Sequence, residues 1–303
     1  VMQFHLAINL ERMNSDARMG DVARHTLDMV RLAEQGGFHT AWAAEHHALE
    51  MTIAPNPFQI LTWWAMHTEK IRLGSAVAVA AYWHPINLAG EAAFTDLLSG
   101  GRLEFGIGSG AYQREFDRMH PRLKQSDAWR YVHEMLPAVK ALWAGDYEHD
   151  GEFWSFPVST SVPKPLQKPH PPVWLAARAP VTFNYAVQNN CRIMSWPLTR
   201  PFAEVELYKA RLEEAVQANP GCLLRKHGPR PRAAETLPGI VLFGGDAGVC
   251  IVRRAIRRRG TVVARVETVV AGAGMVVAHA NRDFRRKKLP IAVNCGLVYN
   301  GLH

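Results

Sequence analysis

Strand and helix signals alternate along most of this chain, which predicts an α/β protein: a (β/α)8 TIM barrel with an atypical or incomplete C-terminal closure. Three observations carry the prediction. Six strand-plus-helix units follow one another within about the first 220 residues. No strand runs into a GxGxxG turn, so of the two parallel architectures, open doubly wound sheet and closed barrel, the barrel is favoured. Polar residues also gather where the strands end, on the face a barrel uses for chemistry.

The elements read in order. VMQFHLAINL is a strand, and DVARHTLDMVRLAEQGG is a helix with helical apolar spacing and a glycine pair as its stop. FHTAWAA and PNPFQILTWWAMHTEK form the second unit, IRLGSAVAVA and INLAGEAAFTDLLSGG the third. RLEFGIG and SDAWRYVHEMLPAVKALWAG form the fourth, followed by an insertion over 146–170 whose loop shape is expected to select the substrate. PPVWLAA with APVTFNYAVQNN, and CRIMSWP with PFAEVELYKARLEEAVQA, complete the series. On this plan Asn9, Glu45, His46, His47, His84, Gly108, Ser109, Gly110, Tyr112, Arg178, Ser195 and Trp196 all fall at strand ends.

Composition divides the chain in two. A length of 303 residues with 48% hydrophobic content supplies a large core. The net charge of +8 would suit a nucleic-acid or membrane partner. Yet residues 1–221 hold 20 Lys and Arg against 23 Asp and Glu, while 222–303 hold 15 against 4. The excess lies wholly in a tail without aromatic interleaving or an amphipathic stripe, so neither partner is expected. The reading is therefore a barrel domain over 1–221 and an atypical basic segment over 222–303, a barrel end that is diverged, truncated or frameshifted. Four cysteines without CxxC spacing read as reduced thiols, no metal site is suggested, and no apolar run reaches membrane length. A cytoplasmic location is expected.

Three stretches, GFHTAWAAEHH, SAVAVAAYWHPINLAGEAAFTDLLSGGRLEFGIGSGAYQREF and PPVWLAARAPVTFNYAVQNNCRIMSW, resemble the bacterial luciferase-like flavin monooxygenases in order and spacing, over about residues 2–217. The resemblance implies the same barrel, reduced FMN supplied by a separate reductase, and oxygenation of a small organic substrate by O2 through a flavin hydroperoxide. It leaves room for a homodimer. A related class of barrel oxidoreductases uses the deazaflavin F420 for hydride transfer, and a non-catalytic flavin-binding barrel is a third reading should the tail have damaged the site.

The resemblance also implies roles. His46 corresponds to the family's active-site histidine, suited by an ordinary pKa near ~6.5 to trade protons at neutral pH. Glu45 is expected to support structure, and His47 either to back the site or to pack. Ala76 and Val77 match a pair under the flavin ring, often joined by a non-proline cis peptide. Gly108, Ser109 and Gly110 would let the ring approach the backbone, with Tyr112 and Trp196 beside it. Gly108 stands where luciferases carry cysteine, which argues against light emission. The two arginines that luciferases aim at the FMN phosphate align with Ser109 and Asp127, so Arg178 and Thr182 are the expected substitutes, with Arg130 behind them.

Overall fold

The computed structural model describes residues 3–12, 14–50, 52–195 and 202–222, together with short strand segments between 235 and 277. The first three units are β1 (Phe4–Ile8) with α1 (Met19–Gln35), β2 (Thr40–Ala43) with α2 (Pro57–Ala65), and β3 (Arg72–Ser75), extended by β4 (Ala78–Val79), with α3 (Pro85–Leu98). Next come β5 (Leu103–Gly108), a short α4 (Gln113–Met119) that sequence reading left unassigned, and α5 (Trp129–Ala144). The insertion folds as an antiparallel hairpin of β6 (Tyr147–Asp150) and β7 (Ser155–Ser159). Then β8 (Val173–Ala176), α6 (Pro180–Gln188), β9 (Arg192–Ser195) and α7 (Phe202–Ala218) complete the expected series.

Prolines and polar caps set the helix starts. Asn56 accepts the N–H groups of Phe58 and Gln59 ahead of Pro57, and His84 accepts that of Ile86 ahead of Pro85. In both, the side chain takes an otherwise orphaned donor while proline supplies the helical φ at the first position.

Strands β1, β2, β3, β5, β8, β9 and β11 (Ile240–Gly244) lie parallel in that order. The ring is closed by β12 (Val249–Arg253), which runs antiparallel to both β11 and β1. A (β/α)8 barrel would have a parallel strand there, so the closure is atypical, as the sequence predicts. Were the segment over 222–303 an authentic barrel end, TVVARVETVV, residues 261–270, would lie beside β1. Its first three residues, Thr261–Val263, pair instead with Ile256–Arg258, and residues 264–269 lie outside the described residues.

Period-two alternation sorts each strand into an outer and an inner face. Leu6, Ile8, Ala41, Ala43, Leu73, Leu103, Phe105, Ile107, Val173, Leu175 and Ile193 join the helix-facing core. Inside the ring, Ala7, Trp42, Trp174 and Met194 form a packed middle layer. Gly74 is glycine because the indole of Trp42 lies where a side chain would stand.

Below that layer the floor is polar and, apart from His5 Nε2, densely hydrogen-bonded. The buried carboxylate of Glu104 accepts from Arg72 Nε, from Arg192 Nη1 at 3.0 Å and from Trp174 Nε1 at 2.6 Å. Arg102 donates to the carbonyls of Ala65 (2.8 Å), Thr68 (3.1 Å), Ile71 (3.0 Å) and Ser99 (2.7 Å), holding the end of α2 against the start of β5. Glu34 accepts three consecutive backbone N–H groups, from Glu69, Lys70 and Ile71. The polar residues of DLLSGGRLEF thus serve the floor: Arg102 and Glu104 satisfy buried partners there, and Asp96 accepts the backbone N–H and the side-chain amide of Gln167.

Candidate active site

The opposite end of the ring carries the polar groups that follow the strand ends. Beyond β2 the chain places Glu45, His46 and His47 in succession, and their side chains part. Glu45 is buried, and its carboxylate accepts from Val79 N at 2.8 Å, Trp83 Nε1 at 2.9 Å and His47 Nε2 at 2.6 Å. Glu45 and His47 therefore tie the end of β2 to β4 and the turn after it, the supporting role expected for Glu45. His46 is anchored by its backbone N–H to the carbonyl of Ala54 at 2.8 Å, and its ring faces Tyr112, 5.6 Å away between centroids.

His46 Nδ1 lies 3.3 Å from each carboxylate oxygen of Glu115, and the backbone N–H of His47 donates to Glu115 Oε1 at 2.7 Å. Glu115 sits in the first turn of α4 and is 3% exposed, whereas Tyr112, just before that helix, is 51% exposed. Close by, Tyr82 packs edge-on against His47, 5.1 Å between centroids. Burial first, then the charges of Glu115 and Glu45, hold the Tyr82 phenol well above the usual tyrosine range, so it stays protonated. Its buried oxygen has no hydrogen-bond partner among the described residues.

Other strand-end polar groups are spoken for. His84 caps α3, lies against Phe156 and is pulled below the usual histidine range by burial. Ser195 Oγ donates to the Ala177 carbonyl at 2.6 Å, and Asn9 Nδ2 to Glu11 at 3.0 Å.

Ala76 and Val77 are joined by a non-proline cis peptide, at the position the resemblance implied. Together with Ala176 they are partly buried above the layer of Ala7, Trp42, Trp174 and Met194, making a platform of small side chains. The glycines of strand four have protein neighbours rather than the open face expected of them. A Cβ on Gly108 would stand 2.8 Å from Val77 Cγ2 and 3.1 Å from Ala176 Cβ. Gly110 has φ +80°, the left-handed region, and a Cβ there would be 3.0 Å from both Phe116 and Val79. These glycines seat the platform and α4, with half-buried Ser109 between them.

At the start of α6, Arg178 is exposed and its backbone N–H donates to Thr182 Oγ1 at 3.1 Å. That hydroxyl donates in turn to Ala179 O at 2.7 Å, so Thr182 shapes the turn instead of presenting a free donor. Arg211 of α7, which sequence reading missed, donates to the Arg178 carbonyl, and its guanidinium lies 5.8 Å from the Tyr208 ring. Arg178 also acts on the Tyr208 phenol, opposing the upward push of burial. Two arginines thus converge beside the first turn of α6.

Arg130 belongs elsewhere. It pairs with Glu152 and covers the Phe153 ring at 5.3 Å, in an open cleft of about 380 Å³ also lined by Trp129, His133 and Glu134. The β6–β7 hairpin is held there, on the flank of α5, because Glu134 accepts the N–H groups of Glu152, Phe153 and Trp154 and pairs with His149. Trp196 lies outside the described residues.

Glu115 is the main residue that sequence reading missed. Its signal in the sequence is its place in GAYQREF, three residues after Tyr112, in a stretch to which sequence reading assigned no element.

A ring of seven parallel strands closed by one antiparallel strand thus carries a cis Ala76–Val77 junction within a small-residue platform and a histidine at the end of β2. The chain belongs to the luciferase-like monooxygenase family, whose model matches residues 2–227. Over 216 residues it is 45% identical to the oxygenase component of a flavin-dependent trigonelline monooxygenase from Acinetobacter baylyi, covering 71% of this chain and 60% of that one. It is 30% identical over 149 residues to an FMNH2-dependent dimethylsulfone monooxygenase from Pseudomonas putida, covering 48% of this chain and 39% of that protein. Among solved structures, the monooxygenase RslO1 from Streptomyces bottropensis superposes with a TM-score of 0.66 at 27% identity, over 72% of this chain and 66% of that one. The chain therefore matches about 60% of the length of its trigonelline relative and less than half of the dimethylsulfone one.

Proposed function

We propose that this chain is the oxygenase component of a two-component, flavin-dependent monooxygenase, taking reduced FMN from a separate flavin reductase and using O2 to oxygenate a small organic substrate. The observation that carries the reading is His46, held against Glu115 and beside Tyr112 at the mouth where the small-residue platform lies. The relatives, one an oxygenase component and one an FMNH2-dependent enzyme, support the reductase and the cofactor.

The residues present fit FMN. Ala76, Val77 and Ala176 offer a flat apolar seat for a planar ring, backed by a packed layer that cannot collapse upward. Tyr112 stands exposed beside it, and Arg178 with Arg211 supplies positive charge for the phosphate near a helix start. Bound reduced flavin supplies the electrons that activate O2. His46 gives or takes a proton through the ring nitrogen that faces away from Glu115.

No helix among the described residues is long and apolar enough to cross a membrane, which fits the cytoplasmic location we propose. A homodimer is supported by the outer face of α2 and α3, where Met66, Phe94 and Leu97 are exposed on helices already apolar on their inner side. We read residues 222–303 as a segment standing in for the family's last barrel units, since the change of charge balance coincides with the end of the family match.

Oxygen uptake separates the alternatives. With enzymatically reduced FMN and small nitrogen heterocycles, trigonelline first, the protein is expected to couple O2 consumption to product formation. Turnover with reduced F420 in place of FMN would assign it to hydride transfer, and flavin binding without any turnover would make it a binding protein.

A further inference from the structure

We infer that Glu115 is a positioning residue that selects the tautomer of His46, keeping the proton on Nδ1 and leaving the Nε2 lone pair to the barrel mouth. The inference rests on the reading of His46 as the group that handles protons. An ionised carboxylate only accepts hydrogen bonds, so the ring nitrogen 3.3 Å from both of its oxygens is the one that carries hydrogen. Nε2 then has no hydrogen, and it makes no hydrogen bond among the described residues. The same carboxylate accepts the His47 N–H at 2.7 Å, which pins the main chain on either side of the histidine pair.

The surroundings reinforce the choice. Glu115 is buried next to buried Phe116, so water does not compete for its oxygens. The other acid nearby, Glu45, is engaged with Val79, Trp83 and His47, and the Tyr82 phenol keeps its proton. Among the groups facing His46 from α4, β4 and the turn after β2, Glu115 is the one that touches the ring with a free acceptor. A fixed tautomer matters because a ring with the opposite one would present an N–H to the mouth and could not serve there as a base.

Glu115→Gln discriminates. An amide has a single acceptor oxygen, and the shorter bond from His47 N–H claims it, so the NH2 group faces Nδ1 and drives the ring proton to Nε2. The experiment is a long-range 1H–15N correlation spectrum of flavin-free, histidine-labelled protein at neutral pH, with His46 identified by the signals that vanish in His46→Ala. Expected are an Nδ1–H tautomer in the wild type and an Nε2–H tautomer in Glu115→Gln. Turnover of Glu115→Gln should fall at least tenfold, and the double variant should lose no more than His46→Ala alone. A wild-type ring protonated on Nε2, an unchanged tautomer in the Gln variant, or losses that multiply in the double variant would overturn the inference. Should His46→Ala turn over normally while the tautomers behave as stated, the functional reading fails and the positioning stands. Should the Gln variant not fold, the wild-type tautomer decides.

Discussion

The two ends of the barrel use polar residues in opposite ways. At the floor, Glu104, Arg72, Arg102 and Glu34 are each locked by several hydrogen bonds, and Arg192 adds one more to Glu104. At the mouth, His46 keeps one ring nitrogen unengaged among the described residues, Tyr112 is half exposed, and the Tyr82 hydroxyl is buried with nothing to bond. A buried polar group left unsatisfied costs about 1–3 kcal/mol, and the floor holds one as well, His5 Nε2. The difference teaches that charge alone does not mark a site. The most charged interior among the described residues is structural, and the end we propose as reactive is the less charged one.

Breaking the floor should have the largest effect, on stability. Glu104→Ala leaves two guanidinium groups and the Trp174 N–H facing a cavity, and should lower unfolding stability by about 3 kcal/mol, measured by denaturant titration. A shift below 1 kcal/mol or so would mean that the floor is not the fold's polar keystone.

The second effect sharpens the mouth. Arg178→Ala should weaken FMN binding by about tenfold, near 1.4 kcal/mol, and leave riboflavin, which lacks the phosphate, unaffected in a fluorescence titration. Because Ser109 and Asp127 stand where luciferases have arginines, the starting affinity is expected to be modest. Equal affinity for both flavins in the unmodified protein would mean that the phosphate is not recognised, and normal FMN binding by Arg178→Ala would place its site away from α6.

The smallest effect is a pH slope. Burial, then the charges of His39 and Arg192, pulls His5 of the floor down to about 3, from an ordinary 6.5. Between those values the unfolded chain binds a proton that the folded one refuses, so stability falls as pH drops from 6.5 toward 3. The slope from this residue is at most about 1.4 kcal/mol per pH unit. His39, His84 and His133 are lowered too and act in the same direction. His5→Phe should flatten the acid limb of the stability profile; an unchanged slope would mean that His5 takes up its proton in the folded state.

Much of this was legible in the sequence. Alternating strands and amphipathic helices are local patterns, so the six units, the strand ends and AEHH were all readable. The cis Ala76–Val77 junction came through resemblance, since no local rule marks it. Glu115 was not legible because its partner lies 69 residues away and its helix is too short to show a periodicity. Arg211 escaped for a related reason: it is an ordinary arginine on α7 until the barrel brings α6 beside it. The antiparallel closure by β12 was unreadable for want of helical or strand periodicity in the basic segment. Arg130 misled because spacing along a helix does not reveal an acidic partner on a distant hairpin.

The most direct test of the contrast between the two ends is His46→Ala, compared with the unmodified protein in turnover, FMN affinity and melting temperature. The account predicts turnover lower by about a hundredfold or more, with FMN affinity and melting temperature unchanged, because the ring supports chemistry at the mouth and not the fold. Unchanged oxygenation with intact flavin binding would contradict it.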